Sequence, residues 1–261
     1  MPFWYRTNAS GDWELADDDD GRVPFKVKST GHQEIKFPTH NCILFDDFLG
    51  DVIADEWSAA AGTDTAAIAA AVNSQDNGVV RLTSGDAGAG NDAADGSVLT
   101  AGLNWSAAQG GLAMEARLTL PNIASLVVNV GFTDVLATTT VEMPFEIGST
   151  DDITSNATNA VCWVFDTGGA TDEWRGIGVK AGTDTAILEG GVAPVASTFD
   201  KVRIELDSSG NATFYLNDVK KGSLANAVTA ATQLTPVVAV MTRTTSSKTV
   251  DVDYVYVCQD R

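Results

Sequence analysis

The chain is 261 residues long, and 16 basic against 35 acidic side chains give it a formal charge of −19 and an isoelectric point near 4.2. No cluster of Lys and Arg offers the cationic footprint that a phosphate backbone or an anionic membrane surface requires, which argues against nucleic-acid and membrane partners. With 44% apolar residues and 24 Gly, the chain has material for at least one substantial core joined by many turns, and no run of about 18 uncharged apolar residues reads as a membrane-spanning helix.

In chain order, the opening MPFWYRTNAS lacks the basic-then-apolar layout of a secretory signal, which predicts a soluble chain made in the cytoplasm. Residues 1–42 read as an extended arm. They carry Trp4, Tyr5, Trp13 and Phe25 among polar residues, four acids in a row at Asp17 to Asp20, and both histidines, His32 and His40, without sustained helical or strand periodicity. The acidic run reads as a solvated charge cluster. A segment with several large aromatics and no element of its own to bury them predicts a strap that docks on another subunit, with the four aromatics as anchors, and the competing reading is an arm folded back over its own sandwich.

From residue 43 to 261 alternating segments follow one another, the period-2 signal of strands with one buried face. In LAMEARLTL, Leu112, Met114, Ala116, Leu118 and Leu120 share one face. SLVVNVGF repeats the pattern through Leu126, Val128, Val130 and Phe132, and AVCWVFD (160–166) is apolar on both faces, as in a strand covered on both sides. Val202, Ile204 and Leu206 precede a Ser-Ser-Gly-Asn turn, and Ala212, Phe214 and Leu216 follow it, which predicts a hairpin. PVVAVMT and TVDVDYVYV close the chain as two more strands. The stretches 84–96 and 149–156 read as polar loops. AAIAAAVN (66–73) has helix composition, but Gly62 and Asn73 leave too little room for a helix to form unaided, so it is read as strand or irregular. Cys42, Cys162 and Cys258 lie far apart without a CxxC pair and read as small buried residues. The sequons at Asn8, Asn104, Asn156 and Asn211 are assigned no glycan.

Many short strands with Gly-rich turns and no helical spacers predict an all-β, antiparallel two-sheet sandwich with an N-terminal arm. The entry ILFDDFLGDVIADEW (43–57), the hairpin FDKVRIELDSSGNATFYLND (199–218) and the ending VDVDYVYV (250–257) resemble concanavalin A-like lectin/glucanase domains, also called laminin-G-like jelly rolls. The resemblance implies a jelly roll over residues 43–258 and leaves function open, because lectins, glycosidases and virion proteins share that fold.

Retaining hydrolases of the family with a similar last strand carry an E-x-D-x-x-E strand, which sets two carboxylates on one face. This spacing is missing: Glu142, Glu146, Asp151 and Asp152 are out of register, and Val161 to Phe165 fill the corresponding strand. Both histidines sit in the arm, and neither a GxSxG elbow nor a phosphate loop occurs. The sequence therefore predicts a chain that is not an enzyme. Asp253 stands where the resembling sandwiches place a calcium ligand on the last strand, and a solvent-facing acid is the competing reading. Trp105, Trp163 and Trp174 read as core rather than as sugar-stacking platforms. An acidic jelly roll with such an arm resembles virion proteins of tailed bacteriophages, which implies a capsid decoration protein on a major capsid protein, located in the virion and assembled as a homo-oligomer, with a trimer as the guess. The alternative is a carbohydrate-binding module or host-receptor adhesin that holds a glycan through loop Asp and Asn residues and a stacked Trp.

Overall fold

The computed structural model describes residues 4–7, 13–16, 41–69, 78–86, 95–137 and 141–261, the first two stretches as backbone. The chain divides into two compact units, Met1–Cys42 with Arg261, and Ile43–Asp260.

In the first unit, β1 (Trp4–Thr7) and β2 (Trp13–Ala16) pair antiparallel, with Trp4 opposite Ala16 and Tyr5 opposite Leu15. The sequence of the arm carries no periodic signal for this pair. Trp, Tyr and Thr favour extended backbone, and four residues are too few to show a period.

The chain continues through β3 (Asn41–Asp46), β4 (Ser58–Ala61), β5 (Ala67–Ala69), β6 (Val80–Thr83), β7 (Ser97–Thr100), β8 (Leu112–Thr119), β9 (Leu126–Thr133), β10 (Phe145–Ile147) and β11 (Ile153–Ser155). It goes on through β12 (Ala160–Asp166), β13 (Trp174–Lys180), β14 (Thr183–Asp184), β15 (Leu188–Glu189), β16 (Phe199–Leu206), β17 (Ala212–Leu216), β18 (Val219–Leu224), β19 (Thr235–Thr242) and β20 (Thr249–Asp260). A 3₁₀ turn, Ala107–Gln109, lies between β7 and β8. Of the Ala-rich stretch, Ala67–Ala69 form β5, in line with the strand or irregular reading, and residues 70–73 lie outside the described residues.

Two large antiparallel sheets form the sandwich. Sheet I runs β14–β13–β12–β9–β19–β7–β4, with β15 also on β13. Sheet II runs β18–β17–β16–β8–β20–β6–β5, with β3 also on β20. The alternating residues of β8 predicted to face inward, Leu112, Met114, Ala116 and Leu118, are all buried. Trp163 of β12 meets Phe214 of β17 edge-on at 5.2 Å between ring centres. Its indole nitrogen donates to the carbonyls of Arg203 and Tyr215, both at 3.1 Å, so this large ring is buried without leaving its one donor unpaired. Trp174 likewise donates to Asp200 at 3.0 Å.

The predicted hairpin is present. After β16, Asp207 accepts from the backbone of Ser209 and Asn211 and from the Asn211 amide, and the Asn211 contacts hold its carboxyl below the usual range. Gly210 takes φ +82°, which its missing Cβ permits. β17 passes to β18 through Asn217 and Asp218, both at positive φ, the backbone of a two-residue type I′ turn.

Candidate functional site

A sandwich has two outward faces on which a ligand can lie, and in this chain they differ. On sheet I the outward residues are buried and mostly apolar. Val127, Ala160, Cys162, Val164, Ile177, Val179, Val237, Ala239 and Met241 form one cluster with Val141, Met143, Phe145 and Ile147. Residues 141–157, including the β10–β11 hairpin, therefore cover this face. Asn129 on β9 fixes the cover: its amide donates to the Phe145 carbonyl at 3.0 Å and its oxygen accepts the Phe145 N–H at 2.9 Å. At the neighbouring corner Asp166, fully buried, accepts the Ile147 N–H at 2.6 Å and binds Arg243 through both oxygens, while Arg243 also reaches Glu146 at 2.7 Å. Buried Arg175 holds the β10–β11 turn through Asp151 at 2.6 Å, and the Ala170 N–H and Arg175 together keep the Asp151 carboxyl below its ordinary range. Cys162 sits under the cover, and burial pushes its thiol far up.

This cover explains why β9, read as a strand with one buried face, is buried on both. The outward side of β12 presents Ala160, Cys162, Val164 and Asp166 to the cover, with Asp166 committed to Arg243.

The outward face of sheet II is more polar, and several of its side chains, Glu115, Thr119 and Asp251 among them, are buried. Cross-strand register lines up Phe199 (β16), Thr119 (β8), Asp251 (β20) and Arg81 (β6) in one row. Arg81 donates to both oxygens of Asp251, Nε to Oδ1 and Nη2 to Oδ2, each at 2.6 Å, and this contact raises the guanidinium pKa further. Two residues along β8, Arg117 stacks on Phe199 with its guanidinium carbon 3.9 Å from the ring centre and reaches Asp253 at 2.6 Å. Beyond it, the Tyr254 hydroxyl donates to Glu115 at 2.7 Å. Burial, with Glu115 beside it, raises the Tyr254 pKa. The row closes a cavity of about 260 Å³ whose walls are apolar at Val79, Pro121 and Phe199 and polar at Arg81, Thr119, Ser197 and Asp251. A larger groove of about 510 Å³ beside β14 and β18 is shallow, has no aromatic side chain and is bordered by the Lys180–Asn226 contact at 2.8 Å.

Of the residues singled out from sequence, Asp253 lies on β20 beside the register shift between Val252 and Tyr254 and is paired with Arg117. Among the described residues, no group of three or more His, Cys, Asp or Glu converges as a metal site. Trp4, Tyr5 and Trp13 fall in β1 and β2, where only backbone is described, and Phe25 lies outside the described residues. Trp105, Trp163 and Trp174 are buried, as the core reading expected. Phe199, Thr119, Asp251 and Arg81 were missed. Their signal is the outward-facing phenylalanine that opens the 199–206 strand, while the Arg81–Asp251 pairing spans 170 residues and has no local trace.

No family model matches the chain, and no curated protein does. Solved structures do. The carbohydrate recognition domain of Emp47p aligns with a TM-score of 0.57 at 10% identity, over 86% of this chain and 99% of that one. A glycoside hydrolase family 16 endo-glucanase from Bacteroides ovatus gives 0.56 at 13% identity, over 81% and 98%. The laminarinase catalytic domain from Thermotoga maritima gives 0.56 at 13% identity, over 84% and 97%. The fold is the concanavalin A-like jelly roll. The expectation of a chain that is not an enzyme is corrected by these likenesses. This jelly roll is shared with several glycoside hydrolases, so a missing E-x-D-x-x-E strand is too narrow a ground for excluding enzymes.

Proposed function

We propose that this jelly roll binds carbohydrate, and that the glycan lies on the outward face of sheet II across Phe199, Thr119, Asp251 and Arg81. The observation that carries the reading is the cavity itself. A sugar ring offers an apolar C–H face and a rim of hydroxyls, and the cavity offers an apolar wall at Phe199, Pro121 and Val79 beside a carboxylate–guanidinium pair held in fixed geometry. The face of sheet I is taken by the chain's own cover, whereas the cavity beside β8, β16 and β20 of sheet II is lined by apolar and polar side chains. Likeness to a carbohydrate recognition domain and to glucanases supports the ligand class, and the β-1,3-1,4-glucan and laminarin in the names of two of those enzymes supply the first candidates.

The test is affinity electrophoresis of the full chain through native gels cast with mixed-linkage β-glucan, laminarin or no polysaccharide. Retardation in at least one glucan gel, relative to a protein that does not bind glucans, is expected. Unchanged mobility in all of them contradicts the proposal.

A further inference from the structure

The aromatic surface of sheet II continues past the cavity. Phe199 on β16 carries the Arg117 guanidinium of β8 3.9 Å from its ring centre, and Arg117 stands opposite Tyr254 of β20 in the cross-strand register. Tyr254 in turn lies 6.1 Å, ring centre to ring centre, from Phe45 of β3, which also pairs with β20. Neighbouring strands lie about 4.8 Å apart, so the four strands carry a continuous strip of planar side chains roughly 14 Å long. That is longer than any single sugar ring. The strip reaches the surface along its length: Phe45 is 57% exposed, the Arg117 side chain is 40% exposed, and Phe199 and Tyr254 are half-buried. Phe45 is thus no isolated surface residue but the end of a row of rings. The polar ends of the strip are already held. The Tyr254 hydroxyl donates to the buried Glu115 at 2.7 Å, and Arg117 pairs with Asp253 at 2.6 Å. These contacts fix both side chains before a ligand arrives, and they leave the strip to contribute flat apolar surface rather than charge.

Resting on the carbohydrate reading above, we infer that sheet II holds an internal stretch of an extended, uncharged glucan chain rather than a chain end or a single sugar. One ring of the glucan occupies the cavity at Phe199, and the rings after it run across the strands over Arg117 and Tyr254 to Phe45. Each further ring laid on the strip adds contact that a shorter ligand lacks, so affinity rises with chain length until the strip is full.

The experiment titrates full-length wild type, Phe45→Ala and Phe199→Ala calorimetrically with β-1,3-1,4-gluco-oligosaccharides and laminari-oligosaccharides graded from disaccharide to hexasaccharide. Light scattering and thermal unfolding of each protein without ligand report its oligomeric state and its fold, which Phe45→Ala keeps because Phe45 lies outside the core. Wild-type affinity is expected to rise about tenfold or more from the shortest oligosaccharide that binds to the hexasaccharide. Phe45→Ala is expected to bind that shortest ligand like wild type and the hexasaccharide about threefold to tenfold more weakly, the worth of one aromatic contact. Phe199→Ala is expected to weaken binding at every length. Affinity independent of length, or a full rise with length in Phe45→Ala, overturns the inference and leaves the cavity reading standing. Self-association of the wild type that Phe45→Ala abolishes gives the strip to a second copy of the chain and overturns it as well. Absence of wild-type binding at every length defeats the carbohydrate reading itself and this inference with it.

Discussion

Truncation of Phe145 to alanine is expected to cost about 3–5 kcal/mol of stability, the range found for removing a buried phenyl ring. Phe145 is fully buried, and it holds the cover against the outward face of sheet I together with Met143 and Ile147. The backbone around it cannot simply collapse into the void, because Asn129 grips both the N–H and the carbonyl of residue 145. The cavity left behind therefore persists, and persisting cavities give the upper part of that range. Equilibrium urea unfolding measures the loss as a fall in midpoint. A loss below about 1 kcal/mol would mean that the cover rests loosely on the sheet and that the face beneath it is accessible to ligands.

Replacement of Asp166 by alanine is expected to cost a comparable ~3–5 kcal/mol, for an electrostatic reason. Asp166 receives the N–H groups of Ile147 and Gly168 and both ends of the Arg243 guanidinium. Its removal leaves Arg243, whose side chain is only 20% exposed, with Glu146 alone, and strands two backbone donors at the corner of the cover. An uncompensated cation and two orphaned N–H groups are each costly in a water-poor setting. The double variant Asp166→Ala with Arg243→Met checks the cause. It should recover part of the loss, because the buried charge is then gone along with its partner. Full retention of the loss in the double variant would assign the effect to the two backbone donors rather than to the arginine.

Most of the sandwich is legible in the sequence because period-2 alternation survives wherever one face is buried and the other wet. Val202 to Leu216 show it plainly, whereas Leu112 to Leu118 alternate in sequence although Ala113 and Glu115 between them are buried too. Sheet I is harder to read, because two buried faces erase the alternation in β12 and β19. In β9, Asn129 has the look of a solvent-facing residue, yet it is fully buried as the clamp on Phe145. The cover does leave a trace: Val141, Met143, Phe145 and Ile147 alternate with Glu142, Pro144 and Glu146. Pro144 breaks the run as a strand signal, since proline cannot donate to a sheet ladder. The candidate site is less legible still. Its four residues lie on four strands, and only the register of β16, β8, β20 and β6 brings them into a row. A search for paired carboxylates or stacked tryptophans looks past a phenylalanine, a threonine and an ion pair that are ordinary taken singly.

The placement of the glycan on sheet II is tested most directly by the affinity of the Phe199→Ala chain for the glucan that retards the wild type. Phe199 forms the aromatic wall of the cavity and contributes its outward side chain, so its truncation removes ring-to-sugar contact with little loss of core. We expect affinity to fall about tenfold or more, equivalent to ~1.4 kcal/mol, with a small fall in unfolding midpoint from the lost Arg117 stack. Wild-type affinity in that variant would contradict the assignment and move the ligand off this face.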